Sequence, residues 1–139
     1  MNTPPIVLWK PPLSVGVADI DEDHKKLLKM INRLFGSALS LDPRQVLHTI
    51  LDELTEYVVV HFDREETYMR RYAYPEYGIH KRDHQRLLDT AGRFKQNREL
   101  GLSINLKEEI EHALRQWLEA HIQEHDKRLG AFLNQQGIS

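Results

Sequence analysis

Apolar residues recur along this chain at helical spacing in four long stretches, and the rows they form are interrupted by ionisable side chains. The first row reads His24, Leu28, Ile31, Phe35, Ala38 and predicts a helix over roughly 21–40, with Asp19 or Asp21 as its cap. Asp42-Pro43 gives a cap followed by proline at the first helical position. It opens a second helix whose stripe is Leu47, Ile50, Leu54, Val58, His61, Glu65, Tyr68, Tyr72. The segment AYPEYG ends that helix, because proline and glycine both punctuate there. A third helix over roughly 78–99 carries His80, His84, Leu87, Ala91 and Phe94, and Gly101 closes it. A fourth, roughly 105–134, is capped by Ser103 or Asn105 and shows a broad face from Ile110 through Trp117, Leu118, His121, Ile122 and Asp126 to Leu133.

No strand periodicity competes with this pattern. Four helices with short links predict an all-α protein, an up-and-down antiparallel four-helix bundle. Residues 1–139 read as one domain, with 1–18 as an extended N-terminal arm and 19–134 as the bundle. Four prolines keep the arm out of helix, while Ile6, Leu8 and Trp9 can lie over the core. No internal repeat or low-complexity segment is visible in the sequence.

Composition narrows the function by exclusion. A net charge of −2 supplies no basic patch for nucleic acid or an anionic membrane surface, and no apolar run is long enough for membrane insertion. Proline stands where a signal peptide would have its apolar stretch, so a cytoplasmic location is expected. The absence of cysteine removes disulfides, thiolate metal sites and thiol catalysis. Any metal must then be held by imidazole and carboxylate, a set that suits iron, manganese or zinc.

Such a set is present. His24, His61, Glu65, His80, His84, His121 and Asp126 occupy inward positions where a simple bundle would carry leucine. Ionisable groups are left in a core only when they are paired or bind a metal. His61 with Glu65, and His80 with His84, are four residues apart and share a helix face. Helix four poses a problem of phase. Five residues advance an α-helix by roughly 500°, leaving Asp126 about 140° around from His121. His125 is the partner that plain α geometry would choose; Asp126 sits in an inward row with Leu118, Ile122 and Leu129, and a π-bulge would bring it round. Spacing alone leaves His125 and Asp126 both open.

Ligand count points to two ions. Two six-coordinate ions need about twelve donor positions. Five imidazoles, two bridging carboxylates and one bridging solvent atom fill all but one. A ferritin-like carboxylate site would need Glu-x-x-His on two helices, and only Glu109-x-x-His112 has that form, with His112 on the outer face. His48 is also placed on the surface, and Glu66, about 100° from Glu65, is read as a solvated carboxylate.

The order DIDEDH, HFDREE, HKRDH, WLEAHIQEHD on four helices after a tryptophan-containing arm resembles the hemerythrin family, specifically its single-domain bacteriohemerythrins, over essentially the whole chain. The resemblance implies that His80, His84 and His121 hold one iron and that His24 and His61 hold a second, which keeps the open position. It implies that Glu65 and Asp126 bridge the two, with an oxo or hydroxo group, which selects Asp126 over His125. Trp117, Leu118 and Ile122 match residues that wall the oxygen pocket in relatives. Two departures stand out: Asp23 where relatives often have glutamine, and the additional His125. The implied function is reversible dioxygen binding for storage, delivery or buffering, without catalysis, with an oxygen-consuming client as a partner. Alternatives are an oxygen or redox sensor signalling to a partner, and a di-iron enzyme acting on peroxide or nitric oxide.

Overall fold

The computed structural model describes residues 9–37, 43–100 and 106–139, apart from side chains at 34–37, 43–50, 97–100, 106–108, 110–111 and 118–119. A 3-10 turn, Pro11–Leu13, leads into α1 (Ala18–Ser37), α2 (Pro43–Arg71), α3 (Tyr77–Leu100) and α4 (Leu106–Gln116). The fourth helix then changes character. A π-helical segment, Trp117–Asp126, follows α4 and passes without a break into α5 (Lys127–Gln135). Consecutive helices pack side by side, α1 on α2, α2 on α3, and α3 on both α4 and the π segment. The expected all-α four-helix bundle is the observed architecture, and no described helix is long and apolar enough to cross a membrane.

Helix α1 begins three residues earlier than its acidic cap candidates predict. Asp19 and Asp21 both lie in its first turn, where their charge favours the positive end of the helix dipole. Asp21 binds the arm instead of capping: its carboxylate accepts the Val15 N–H at 2.9 Å and the Ser14 hydroxyl at 2.5 Å. Pro43 is the first residue of α2, as predicted; its proposed cap Asp42, the Gly101 stop and the Ser103 and Asn105 caps lie outside the described residues. Helix α2 ends in a Schellman motif, with Tyr74 N–H donating to Met69 C=O at 2.9 Å and Ala73 left-handed at φ 54°. Helix α5 ends the same way at Gly137, φ 85°, with Ile138 N–H donating to Leu133 C=O.

The core has two apolar ends. One gathers Leu13, Leu27, Leu28, Ile31, Leu51, Leu54, Trp117 and Ile122; the other gathers Val15, Val17, Ile20, Met69, Tyr74, Leu129 and Leu133. The ionisable residues His24, His61 and Glu65 fall between these two groups along α1 and α2.

The arm is strapped across α5. Asn134 donates from Nδ2 to the carbonyls of Gly16 at 2.9 Å and Ile138 at 2.8 Å. Beneath the strap Gly130 lets two backbones touch, since a Cβ there would meet the Val15 carbonyl oxygen at 1.9 Å. Neither backbone can yield cheaply. Gly130→Ala is therefore expected to destabilise the protein by about 3 kcal/mol, the upper range for overpacking. The check is a lowered denaturant midpoint with an unchanged m-value.

Candidate metal centre

All five inward histidines are buried, and so are Glu65 and Asp126. The positions result from helix phase. In α2 the four-residue step from His61 to Glu65 puts their side chains one above the other, with Nε2 and Oε1 2.9 Å apart. In α3 the same step brings His80 and His84 together edge to face, ring centroids 4.6 Å apart. In the fourth helix the step is five residues, and the backbone supplies the matching repeat: Lys127 N–H donates to Ile122 C=O, a five-residue span. His121 Nε2 consequently lies 3.0 Å from Asp126 Oδ1. The phase problem that α geometry leaves open is solved by the π segment.

Two overlapping donor groups result. Glu65, His80, His84, His121 and Asp126 each bring one donor atom within 4.8 Å of all the others; His24, His61, Glu65 and Asp126 do the same. Both carboxylates belong to both groups. Asp126 divides between them, with Oδ2 3.0 Å from His24 Nε2 and Oδ1 3.0 Å from His80 Nε2. Glu65 Oε1 stands 2.9 Å from His61 and 3.4 Å from His84. The nitrogens also face one another, His24 Nε2 to His61 Nε2 at 3.1 Å and His84 Nε2 to His121 Nε2 at 3.1 Å.

These donors fit a metal better than they fit each other. All four carboxylate oxygens of Glu65 and Asp126 are buried without an aligned hydrogen bond, despite imidazoles at contact distance. Buried, unpaired carboxylate oxygens are costly, and cations placed between them and the Nε2 lone pairs would satisfy both. The charge balance agrees. Burial pushes the His61 and His121 imidazoles down, but Glu65 and Asp23 around the first and Asp126 and Asp83 around the second raise both to about 10. Burial pushes Asp126 up, and the surrounding imidazoles outweigh it and hold the carboxyl well below its ordinary value.

Three of the five outward nitrogens are braced. His61 Nδ1 meets Asp23 Oδ2 at 2.9 Å, His121 Nδ1 meets Asp83 Oδ2 at 2.6 Å, and His84 Nδ1 meets Glu66 Oε2 at 2.9 Å. A carboxylate at Nδ1 fixes the tautomer that turns the Nε2 lone pair inward and raises its basicity. Hydrogen bonding from His121 outweighs burial and lowers the Asp83 carboxyl to about 2. Glu66 is thus not the solvated carboxylate that helix phase predicts; it is 16% exposed and holds a core histidine. Asp83 escapes sequence inspection altogether. The signal available was the Asp-His pair, which occurs at both 23–24 and 83–84.

That pair discloses an internal repeat that the sequence reading missed. Asp23, His24 and His61 are matched by Asp83, His84 and His121, each sixty residues later. The distances match too: His24 to His61 and His84 to His121 have ring centroids 4.8 Å apart in both cases. Beyond His121 the offset becomes 61, since Glu65 corresponds to Asp126. The second half carries one extra residue between histidine and carboxylate, and the π segment absorbs it. The repeat also places His125. It corresponds to Arg64: Arg64 Nε lies 3.0 Å from Asp23 Oδ2, and His125 Nε2 lies 3.8 Å from Asp83 Oδ2. His125 flanks the brace of His121 and belongs to neither donor group. Two braces are missing: Lys127 corresponds to Glu66 and leaves His24 Nδ1 without a hydrogen-bond partner, and His80 Nδ1 has none either.

An apolar cavity of about 80 Å³ adjoins the cluster on the side of Phe62 and Trp117, lined further by Leu27, Leu54, Phe94 and Leu114. Trp117 and Ile122 are buried as predicted, and the side chain of Leu118 lies outside the described residues. Phe62, which sequence inspection passed over, stacks on His84 at 3.8 Å. His112 is exposed, while the side chain of His48 is not among those described.

Comparison with known proteins gives a consistent likeness. Residues 15–133 match the family described as hemerythrin HHE cation binding domain. A bacteriohemerythrin of Methylococcus capsulatus is 31% identical over 121 residues, 87% of this chain and 89% of the relative. One of Stenotrophomonas maltophilia is 28% identical over 134 residues, 94% of this chain and 86% of the relative. A wild-type hemerythrin crystal structure superposes with a TM-score of 0.80 at 29% identity, covering 90% of this chain and 95% of that one.

Proposed function

This chain belongs to the hemerythrin family, and from that membership and the two-sided donor cluster we propose that it binds dioxygen reversibly at a non-haem di-iron centre. It would act as a single hemerythrin-like domain in the cytoplasm, storing, delivering or buffering oxygen for an oxygen-consuming client. His80, His84 and His121 would hold one iron, His24 and His61 the other, and Glu65 and Asp126 would bridge them. The observation that carries this reading is the asymmetry: both carboxylates are shared, and one donor group has three imidazoles while the other has two. The side with His24 and His61 therefore keeps a position for a small ligand.

When bound, the iron pair supplies that position and the two electrons that oxygen binding requires. The protein's own groups do the rest. Asp23 and Asp83 hold His61 and His121 with their lone pairs inward, and Glu66 does so for His84. Trp117, Leu118, Ile122 and Phe62 would form an apolar wall that excludes water and anions, the agents of irreversible oxidation.

The test is a visible spectrum of iron-loaded, anaerobically reduced protein, followed first in air and then under argon. A charge-transfer band that rises in air and fades under argon is the expected result. Irreversible conversion in a single step would overturn oxygen carriage while leaving the metal assignment intact.

A further inference from the structure

The two halves of the repeat differ at one position that bears directly on the ligand count. His80 stands one turn before His84 in α3; sixty residues earlier, Ile20 stands one turn before His24 in α1. Apart from the missing brace at His24 Nδ1, the donors around the two positions correspond. Each follows with a histidine whose Nε2 lies 3.1 Å from that of a second histidine on the next helix. Each of those second histidines is braced at Nδ1 by an aspartate, and each precedes a buried carboxylate on its own helix. From its place one turn before His84, His80 reaches Asp126 Oδ1 at 3.0 Å. Ile20 is fully buried in the apolar end of the bundle with Val17, Met69 and Leu129. Isoleucine has no lone pair to offer a metal.

We propose that Ile20 keeps the His24–His61 side one ligand short and so decides which of the two ions accepts a small ligand. This rests on the two-ion reading above. An imidazole is no bulkier than the isoleucine side chain, so histidine at this position occupies the same space and adds a third nitrogen donor to the side that has two. The inequality between the two metal positions, on this account, comes from a single apolar residue in α1 and not from the shape of the oxygen pocket.

Cobalt(II) is the probe, because its visible absorption is strong when five-coordinate and weak when six-coordinate, and because it needs no oxygen chemistry to report. Wild type, Ile20→His and His80→Ile are loaded with cobalt(II), assayed for bound metal, and titrated with azide as the small ligand. Wild type is expected to bind about two ions and a single azide. Ile20→His is expected to keep both ions, lose most of its visible absorption and bind no azide. His80→Ile makes the two sides alike, and is expected to bind a second azide. Ile20→His that retains both ions and the wild-type azide titration overturns the proposal. Should that variant fail to fold, His80→Ile decides: a second azide supports the proposal, and a single azide or loss of one ion overturns it. Wild type that binds fewer than two ions refutes the two-ion reading itself, a result distinct from failure of the variants alone.

Discussion

Asp126→Ala is expected to reduce iron loading from the proposed content of about two ions per chain to less than about one, while His125→Ala retains the wild-type content. The two residues are neighbours, both five or fewer positions from His121, and a regular α-helix would favour His125. The π segment reverses the choice. It brings Asp126 within 3.0 Å of His24, His80 and His121, so its two oxygens touch donors from three helices. Removing it takes a donor from both donor groups at once, and so from both of the proposed ions. It also removes one of the two buried anions that attract cations to the cluster, a loss that outweighs the easier deprotonation of His121. His125 is 18% exposed, lies 3.8 Å from Asp83, and sets its ring against those of His80 and His121, centroids 5.6 and 5.5 Å away, but brings no donor atom into either group. The measurement is iron per folded chain after reconstitution, with circular dichroism to establish that both variants keep their helices. Retained di-iron in Asp126→Ala with loss in His125→Ala would reverse the assignment.

The legible part of this protein was what hydrophobic periodicity encodes. Within the described residues each of the four rows of apolar residues is helical, and the seven ionisable residues on those rows come together in one buried cluster. Helix ends were less legible. Asp19 and Asp21 resemble caps, yet α1 starts at Ala18 because Asp21 binds the arm. The AYPEYG signal marked the right place, but the stop is made by Ala73 in a left-handed conformation that its sequence does not advertise. Glu66 was misread because phase on an isolated helix says nothing about what the next helix presents. It points away from Glu65 and toward α3, where His84 needs a partner. Asp83 was invisible for the same reason. The internal repeat was hidden by sparseness, since beside Asp23, His24 and His61 the matches sixty residues on are scattered ones such as Leu27, Leu28 and Leu54, and by the single extra residue that shifts the offset from 60 to 61 after His121.

The braces make a second large prediction, one that separates the two ions. Asp23→Ala is expected to weaken retention of one ion by about 100-fold and Asp23→Asn by about tenfold, while the other ion stays at wild-type affinity. Asp23 is 3% exposed and serves three partners, His61 Nδ1 at 2.9 Å, the Tyr57 hydroxyl at 2.9 Å and Arg64 Nε at 3.0 Å. Burial pushes its carboxyl up, but the hydrogen bond and charge of His61, with Tyr57 and Arg64, bring it below its ordinary value. It is therefore an anion where it meets His61. Asparagine retains an oxygen that accepts from Nδ1 and loses the charge; alanine loses both, and the imidazole is free to turn or change tautomer. The graded pair thus measures charge and orientation separately. Asp83→Asn and Asp83→Ala should show the same grading on the other proposed ion, less steeply, because His80 and His84 would remain to hold it. Stepwise removal with a chelator of graded strength resolves the two ions, and a half-loaded Asp23→Ala protein is the expected product. Equal losses from asparagine and alanine would mean that Asp23 only fills space; equal losses from both ions would mean that the two sides of the cluster do not bind independently.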